Sequence, residues 1–220
     1  MIQLLPTSDG STTLYDSNLD ETYHSVHGAL QESMHVFIEK GLRLRLPEQK
    51  HIRILEIGFG TGLNALLSLR ETKLDPTLTV DYWCLEPFPI SKSIYLQLNY
   101  TQPDEQANFL ALHQAEAGKS ISINSNFTFR RLEQSIDGFI SEQPFDMVFY
   151  DAFGPPTQPE LWTTETLKYS VDVLSPDGIW VSYCAKGDVR RSLISLGLQA
   201  KRLPGPPGKR HMLFAQKGNV

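Results

Sequence analysis

Three acids and three glycines stand where a chain could work on a small charged ligand. Glu56 lies in the apolar run RILEI, and Gly58, Gly60 and Gly62 follow at alternate positions before LNALLSL. Glycines between a strand and a helix let backbone amides face a ligand. A Walker loop is excluded, because no Gly-Lys-Ser/Thr follows. The spacing GxGxG, with Asn64 beyond it, also lacks the sixth-position glycine that brings a helix close to a dinucleotide pyrophosphate. An acid directly ahead of the turn suits a ligand that carries positive charge and a free amino group.

S-adenosylmethionine is such a ligand, with a sulfonium and an α-amine. A second apolar run ends YWCLEP and places Glu86 at about the roughly 20-residue offset where an acid grips ribose hydroxyls. A third ends RRLEQSI and offers Glu133, or a neighbour, to the adenine edge. The plain alternative is a structural strand–helix junction, and Glu56 and Glu86 together argue against it. The fourth run, FYDAFGPPTQPELWT, puts Asp151 one residue past a buried stretch, where strand ends bind ligands in open α/β sheets. Burial raises a carboxyl pKa and suits it to accept a proton. The competing role is an Asp that only braces its loop.

The elements that must position these residues alternate along the chain. Strand-like runs IRILEIG, LTVDYWCLEP, FTFRRLE, FDMVFYDAF and GIWVSYCA are separated by helical stretches LNALLSLRE, ISKSIYLQL and TTETLKYSVDVL. Continuous apolar strands between helices predict parallel strands covered on both faces. Two further strands, LGLQAKRLPG and RHMLFAQKG, flank the loop PGPPGKR and predict a closing antiparallel hairpin. The expected fold is α/β: a seven-stranded, mostly parallel Rossmann-like sheet of the class I methyltransferase layout. Residues 51–220 would form that unit. Residues 1–50 would be an extension packed on it, a hairpin turning at Asp9-Gly10 and an amphipathic helix in HGALQESMHVFIEKGLRLRL.

Bulk properties narrow the setting. The 220 residues, 40% hydrophobic, suit one substantial core. No apolar run approaches a membrane span and the N-terminus lacks a signal-peptide pattern, so a cytoplasmic protein is expected. Cys84 and Cys184 sit in apolar runs and read as buried free thiols. No paired-cysteine spacing supports a metal site. The net charge of −5 is unevenly spread: Lys186, Arg190, Arg191, Lys201, Arg202, Lys209 and Arg210 face only Asp188 within residues 186–211. That segregation suits a local anionic partner, or simply a solvated basic surface.

Six segments in order and spacing, HSVHGALQES, LEIGFGTGLN, LEPFP, DAFGPPTQPELWT, YCAKGDVRRSL and GPPGKRHML, carry a resemblance over nearly the whole chain. It resembles the methyltransferase domain of the MnmC-like (or stand-alone MnmD-like) tRNA 5-methylaminomethyl-2-thiouridine biosynthesis proteins. The Asp-Ala-Phe…Pro-Glu-Leu-Trp-Thr block is the specific part. The resemblance implies methyl transfer from S-adenosyl-L-methionine to the aminomethyl nitrogen of a tRNA wobble uridine. It implies that Glu56, Gly58, Gly60, Gly62 and Glu86 hold the cofactor, with Tyr23, His27, Gly28, Gln31 and Glu32 lining its pocket. Asp151 would meet the amine. Phe153, Pro155 and Trp162 would shape the base pocket, and Arg190, Arg191, Lys209 and Arg210 would meet phosphates. His27 could equally be a loop-bonding histidine.

Two departures stand out. Family members often carry Ala-Pro-Ala-Lys after the Asp-Gly/Ala-Phe element, whereas this chain has Gly154-Pro155-Pro156-Thr157 and lacks that basic contact. The bifunctional form adds a flavin-dependent oxidase; the expectation here is the methyl-transfer part alone, with another enzyme forming the aminomethyl group. Rival readings are a small-amine methyltransferase or aminopropyltransferase, disfavoured by the basic 186–211 segment. A non-catalytic nucleotide- or tRNA-binding module is disfavoured by the intact Glu56, Glu86 and Asp151.

Overall fold

The computed structural model describes residues 1–218. The chain opens with β1 (Ile2–Pro6) and β2 (Thr12–Asp16), an antiparallel hairpin in which Ile2 pairs with Asp16 and Pro6 with Thr12. The short β3 (Glu21–Thr22) adds to β2. At the hairpin tip the Asp9 carboxylate accepts hydrogen bonds from Thr7, Ser11 and the backbone N–H of Gln31. That last bond ties the hairpin to the first turn of α1 (Ala29–Ser33). The helix continues through wider π-helical turns, Met34–Leu42, and closes as α2 (Arg43–Arg45).

Apolar runs then build the sheet. The strands β4 (His51–Ile57), β5 (Thr79–Leu85), β7 (Phe127–Leu132), β8 (Phe145–Tyr150) and β9 (Leu174–Ser182) are parallel along the order β9-β8-β4-β5-β7. Such strands are buried on both faces, hence their near-continuous hydrophobicity. The hairpin β10 (Leu198–Pro204) and β11 (His211–Lys217) closes one edge, with β11 antiparallel to β9. The expected seven strands become eight, because β6 (Ser120–Asn124) pairs antiparallel with β7 at the opposite edge. Its sequence, SISIN, is short and polar. An edge strand exposed on one side carries little hydrophobic signal.

Two layers cover the sheet. On one face lie the long N-terminal helix, α3 (Leu63–Leu74) and α5 (Gln106–Gln114), around Tyr82, Phe127, Phe129 and Phe149. On the other lie α6 (Thr164–Asp172) and α7 (Gly187–Ser195), around Tyr150, Trp180 and Leu213. The helix expected in ISKSIYLQL shrinks to α4 (Lys92–Tyr95), and α5 was not expected at all. Between β7 and β8 a loop takes the place of a helix, leaving Trp83 flanked by the guanidiniums of Arg53 and Arg130. Cys84 and Cys184 are buried and unpaired. Among the described residues no helix is long and apolar enough to cross a membrane.

The N-terminal helix is part of this core. Phe37, 1% exposed, packs with its ring 5.2 Å from that of Phe149 in β8, and Gly41 faces Met147, Phe149 and Val181. Phe37→Ala should therefore cost about 3–5 kcal/mol in denaturant unfolding and leave a single cooperative transition. A separate early transition of the N-terminal residues would contradict that packing.

Candidate active site

Strand order reverses between β4 and β8, and open α/β sheets bind ligands at the carboxyl ends of the strands there. A cavity of about 320 Å³ occupies this position. Its walls come from the turn after β4 (Ile57 to Thr61, with Leu63 and Asn64), the end of β5 (Leu85 to Phe88) and the loop after β7 (Gln134 to Ile136). Asp151 to Phe153, Tyr183 after β9, and Asp16, Tyr23 and His24 from the N-terminal segment contribute further walls.

The glycine turn is shaped as much by protein neighbours as by a ligand. Gly58 has φ of +88°, and a Cβ there would lie 2.7 Å from the carbonyl oxygen of Asp151, so only glycine lets the β8 loop come this close. Gly60 lines the cavity against the Tyr23 ring, while Gly62 turns away toward Phe59 and His113. The expectation that all three glycines make room for a ligand thus gives way to packing at Gly62. Two buried histidines brace the same turn. His24 shares a 2.7 Å hydrogen bond with the Thr61 hydroxyl, and His113 donates to the Thr61 carbonyl at 3.1 Å. Burial pushes both rings down to about 4.

Glu86 directly follows β5, with its carboxylate in the cavity wall. One oxygen accepts from the Gly60 N–H and the other from the Phe88 N–H, each at 2.9 Å. Both oxygens keep a lone pair for a donor such as a ribose hydroxyl. Glu56 is placed differently from expectation. It is fully buried, behind the wall, and Asn64 Nδ2 donates to it and to Asp151, each at 2.8 Å. Burial, then the facing Asp151, drives the Glu56 carboxyl well above its ordinary range. Burial likewise raises Asp151, with Glu32 adding to the rise while Asn64 and Lys209 oppose it. The remaining oxygen of Asn64 is buried and unpartnered, an acceptor that a ligand ammonium could engage.

The other expected residues divide. Tyr23 and Phe153 meet edge to face at 4.9 Å in the cavity wall. Glu133 stands outside, paired with Arg131; Gln134, Ser135 and Ile136 line that end instead. His27 packs against Gly208, the Gln31 backbone is tied to Asp9, and Glu32 accepts from Ser25 and Lys209. Trp162 is a strut rather than a wall: its indole N–H donates to the Phe153 carbonyl at 2.8 Å while its ring packs on Tyr150. Pro155 lies in the turn beyond. Arg190, Arg191 and Arg210 are exposed, with Arg190 bonded to the Ala200 carbonyl and Arg191 paired with Asp188. Lys209 is paired with Glu32.

Sequence reasoning missed Asn64, Thr61, His24 and Tyr183 as parts of the site. Asn64 had a usable signal, being a polar residue that opens an otherwise apolar helix. Tyr183 had none, since an aromatic residue after a buried strand reads as core.

Comparison with known proteins places this geometry. A family model described as S-adenosyl-L-methionine-dependent methyltransferase matches residues 104–218. The bifunctional protein MnmC of Delftia acidovorans, named for tRNA 5-methylaminomethyl-2-thiouridine biosynthesis, is 28% identical over 92% of this chain and 33% of its own length. The MnmC of Cupriavidus necator is 27% identical over 91% of this chain and 32% of its own. The chain thus spans about a third of these curated relatives. A crystal structure of MNMC2 from Aquifex aeolicus superposes with a TM-score of 0.85 at 28% identity, covering 100% of this chain and 72% of that one.

Two measurements test the site. Glu86→Gln, which replaces one acceptor oxygen by a donor, should weaken S-adenosylhomocysteine binding about 10-fold or more in calorimetric titration. Unchanged affinity would remove Glu86 from the ligand contacts. The buried histidines make the second. The unfolded chain protonates them near 6.5 and the fold resists until about 4, so the unfolded state holds more protons between these values. Their contribution to stability, on the order of 3 kcal/mol per ring at most, is present above about pH 6.5 and is lost as pH falls toward 4. His113→Gln should flatten the fall of melting temperature over this window.

Proposed function

The chain belongs to the S-adenosyl-L-methionine-dependent methyltransferase family, of the MnmC-like kind, and from that premise we propose its substrate. It methylates the aminomethyl nitrogen of 5-aminomethyluridine, with or without a 2-thio group, at the wobble position of tRNA. The observation that carries the reading is Asp151, half-buried in the cavity wall, held by Asn64 and flanked by the aromatic pair Tyr23 and Phe153. The names of the relatives supply the substrate class.

S-adenosyl-L-methionine, when bound, supplies the methyl group: the amine lone pair forms the N–C bond as the C–S bond breaks and leaves its electron pair on sulfur. The chain must align the amine, exclude water and take a proton. Glu86 and the turn at Gly58 to Thr61 would hold the adenosyl end, and the free Asn64 oxygen the ammonium. Asp151 would orient the amine and accept its surplus N–H proton. An anticodon base is already unpaired and can be splayed into a pocket and held against aromatic rings. The exposed Arg190, Arg191 and Arg210 would meet the tRNA backbone, which predicts salt-sensitive binding.

The direct test uses purified protein, radiolabelled methyl donor and tRNA from cells lacking the methyl step, with nucleoside analysis. Label in 5-methylaminomethyl-(2-thio)uridine is expected. Cofactor binding with label only in polyamines or other small amines would overturn the substrate. Asp151→Asn should lower turnover at least about 100-fold while S-adenosylhomocysteine affinity stays within about threefold.

A further inference from the structure

The two ends of the fold meet at Tyr183, in the wall of the cavity that Asp151 also lines. Lys209, in the loop between β10 and β11, pairs with Glu32 of α1, whose side chain is only 6% exposed. The other oxygen of Glu32 accepts from the Ser25 N–H at 2.8 Å. The Lys209 ammonium also lies 4.1 Å from the ring centroid of Tyr183, in the cavity wall. Tyr183 in turn donates its hydroxyl to the carbonyl of Ala152, the residue after Asp151, at 2.9 Å. Two further contacts fix the loop. A His35 ring nitrogen donates to the Pro204 carbonyl at 2.9 Å. Gly208, at φ +84°, leaves so little room that a Cβ would come within 2.1 Å of His27.

A lysine whose charge served the tRNA backbone would project into solvent. This one turns inward, is neutralised by a buried glutamate and packs on a ring of the cavity. We propose that Lys209 is a positioning residue for methyl transfer: paired with Glu32 and seated on Tyr183, it sets the charge that Asp151 faces and so the pH at which Asp151 can take the proton. The inference rests on the reading of Asp151 as the proton acceptor, and replaces the phosphate contact expected of Lys209.

The titratable groups facing Asp151 can be named from each neighbouring element. Glu56 comes from β4, Tyr82 from β5, Glu32 from α1, Tyr183 from the end of β9 and Lys209 from the hairpin loop. Burial and then the Glu32 carboxylate disfavour ionisation of Asp151, and Lys209 is the cation that opposes them. Deleting the ammonium leaves Glu32 uncompensated, so Asp151 should ionise at higher pH. Deleting the Glu32 charge should act in the opposite sense.

The experiment follows the Asp151 carboxyl itself. Protein labelled with carboxyl-¹³C aspartate is titrated by NMR without cofactor or tRNA, the signal assigned through Asp151→Asn. Lys209→Met should raise the Asp151 midpoint by about one pH unit, and Glu32→Gln should lower it. Lys209→Arg should stay near wild type, and the double variant Glu32→Gln/Lys209→Met should return toward it. The acid limb of kcat/KM on tRNA should move with the midpoint. An Asp151 midpoint unmoved by Lys209→Met in protein with a native circular dichroism spectrum overturns the proposal. So does a salt slope of tRNA binding that drops by about one in that variant, the mark of a lost phosphate contact. Because the titration needs no substrate, it separates failure of this inference from failure of the proposed substrate.

Discussion

The side chain of Asn64 holds together two acids that should repel each other, and much of the site depends on that arrangement. Its amide donates to Glu56 at the end of β4 and to Asp151 beyond β8, 2.8 Å each. Burial raises both carboxyls above their ordinary range, with Asp151 adding to the rise of Glu56 and Glu32 to that of Asp151. The amide dipole offsets part of this while fixing where Asp151 points. The arrangement is possible because β4 and β8 are neighbours in the sheet and because Gly58 lets the Asp151 backbone lie against the turn. Strand order, glycine and carboxylate are one constraint seen at three scales.

Around that pair the fold arranges neutral or compensated groups. His24 and His113 are kept uncharged by burial, so the turn they brace stays the same through neutral pH. Glu86 has both oxygens fixed by backbone amides. Charge-assisted bonds of this kind hold a carboxylate in place at little further entropic cost when a ligand arrives. The protein's own backbone therefore fixes the Glu86 side of the cavity. That suits a reaction whose donor is already activated and whose barrier lies largely in alignment.

The sheet was largely legible, since buried parallel strands write themselves as continuous apolar runs. What failed to show was the polar edge. SISIN carries alternation too weak to separate from a loop, and QANFLALHQ buries only Phe109, Leu112 and His113. The placement of the site was legible where position along a strand decides it, as with Glu86 and Asp151, which follow strands and line the cavity. It was not legible where direction decides. Glu56 and Glu86 look alike in sequence, yet one points into the core and the other into the cavity. Trp162 and Lys209 looked like surfaces for a base and a phosphate, and they became a strut and an inward-facing cation. Composition gives no warning of either: Trp162 is set by the fold of its own loop, and Lys209 by a partner 177 positions away.

The joining of Glu32 to Lys209 also has a consequence for how the molecule is made. The two are separated by 177 positions, so at a synthesis rate of roughly 5–20 residues per second the glutamate waits on the order of 10–35 s for its partner to emerge. During that interval the sheet can assemble strand by strand, but the N-terminal segment has no hairpin loop to lie against. The Glu32–Lys209 contact thus forms only after every residue that lines the cavity has been synthesised. A nascent chain can hold the whole lining of its cavity before it holds the cation that pairs with Glu32 beside it.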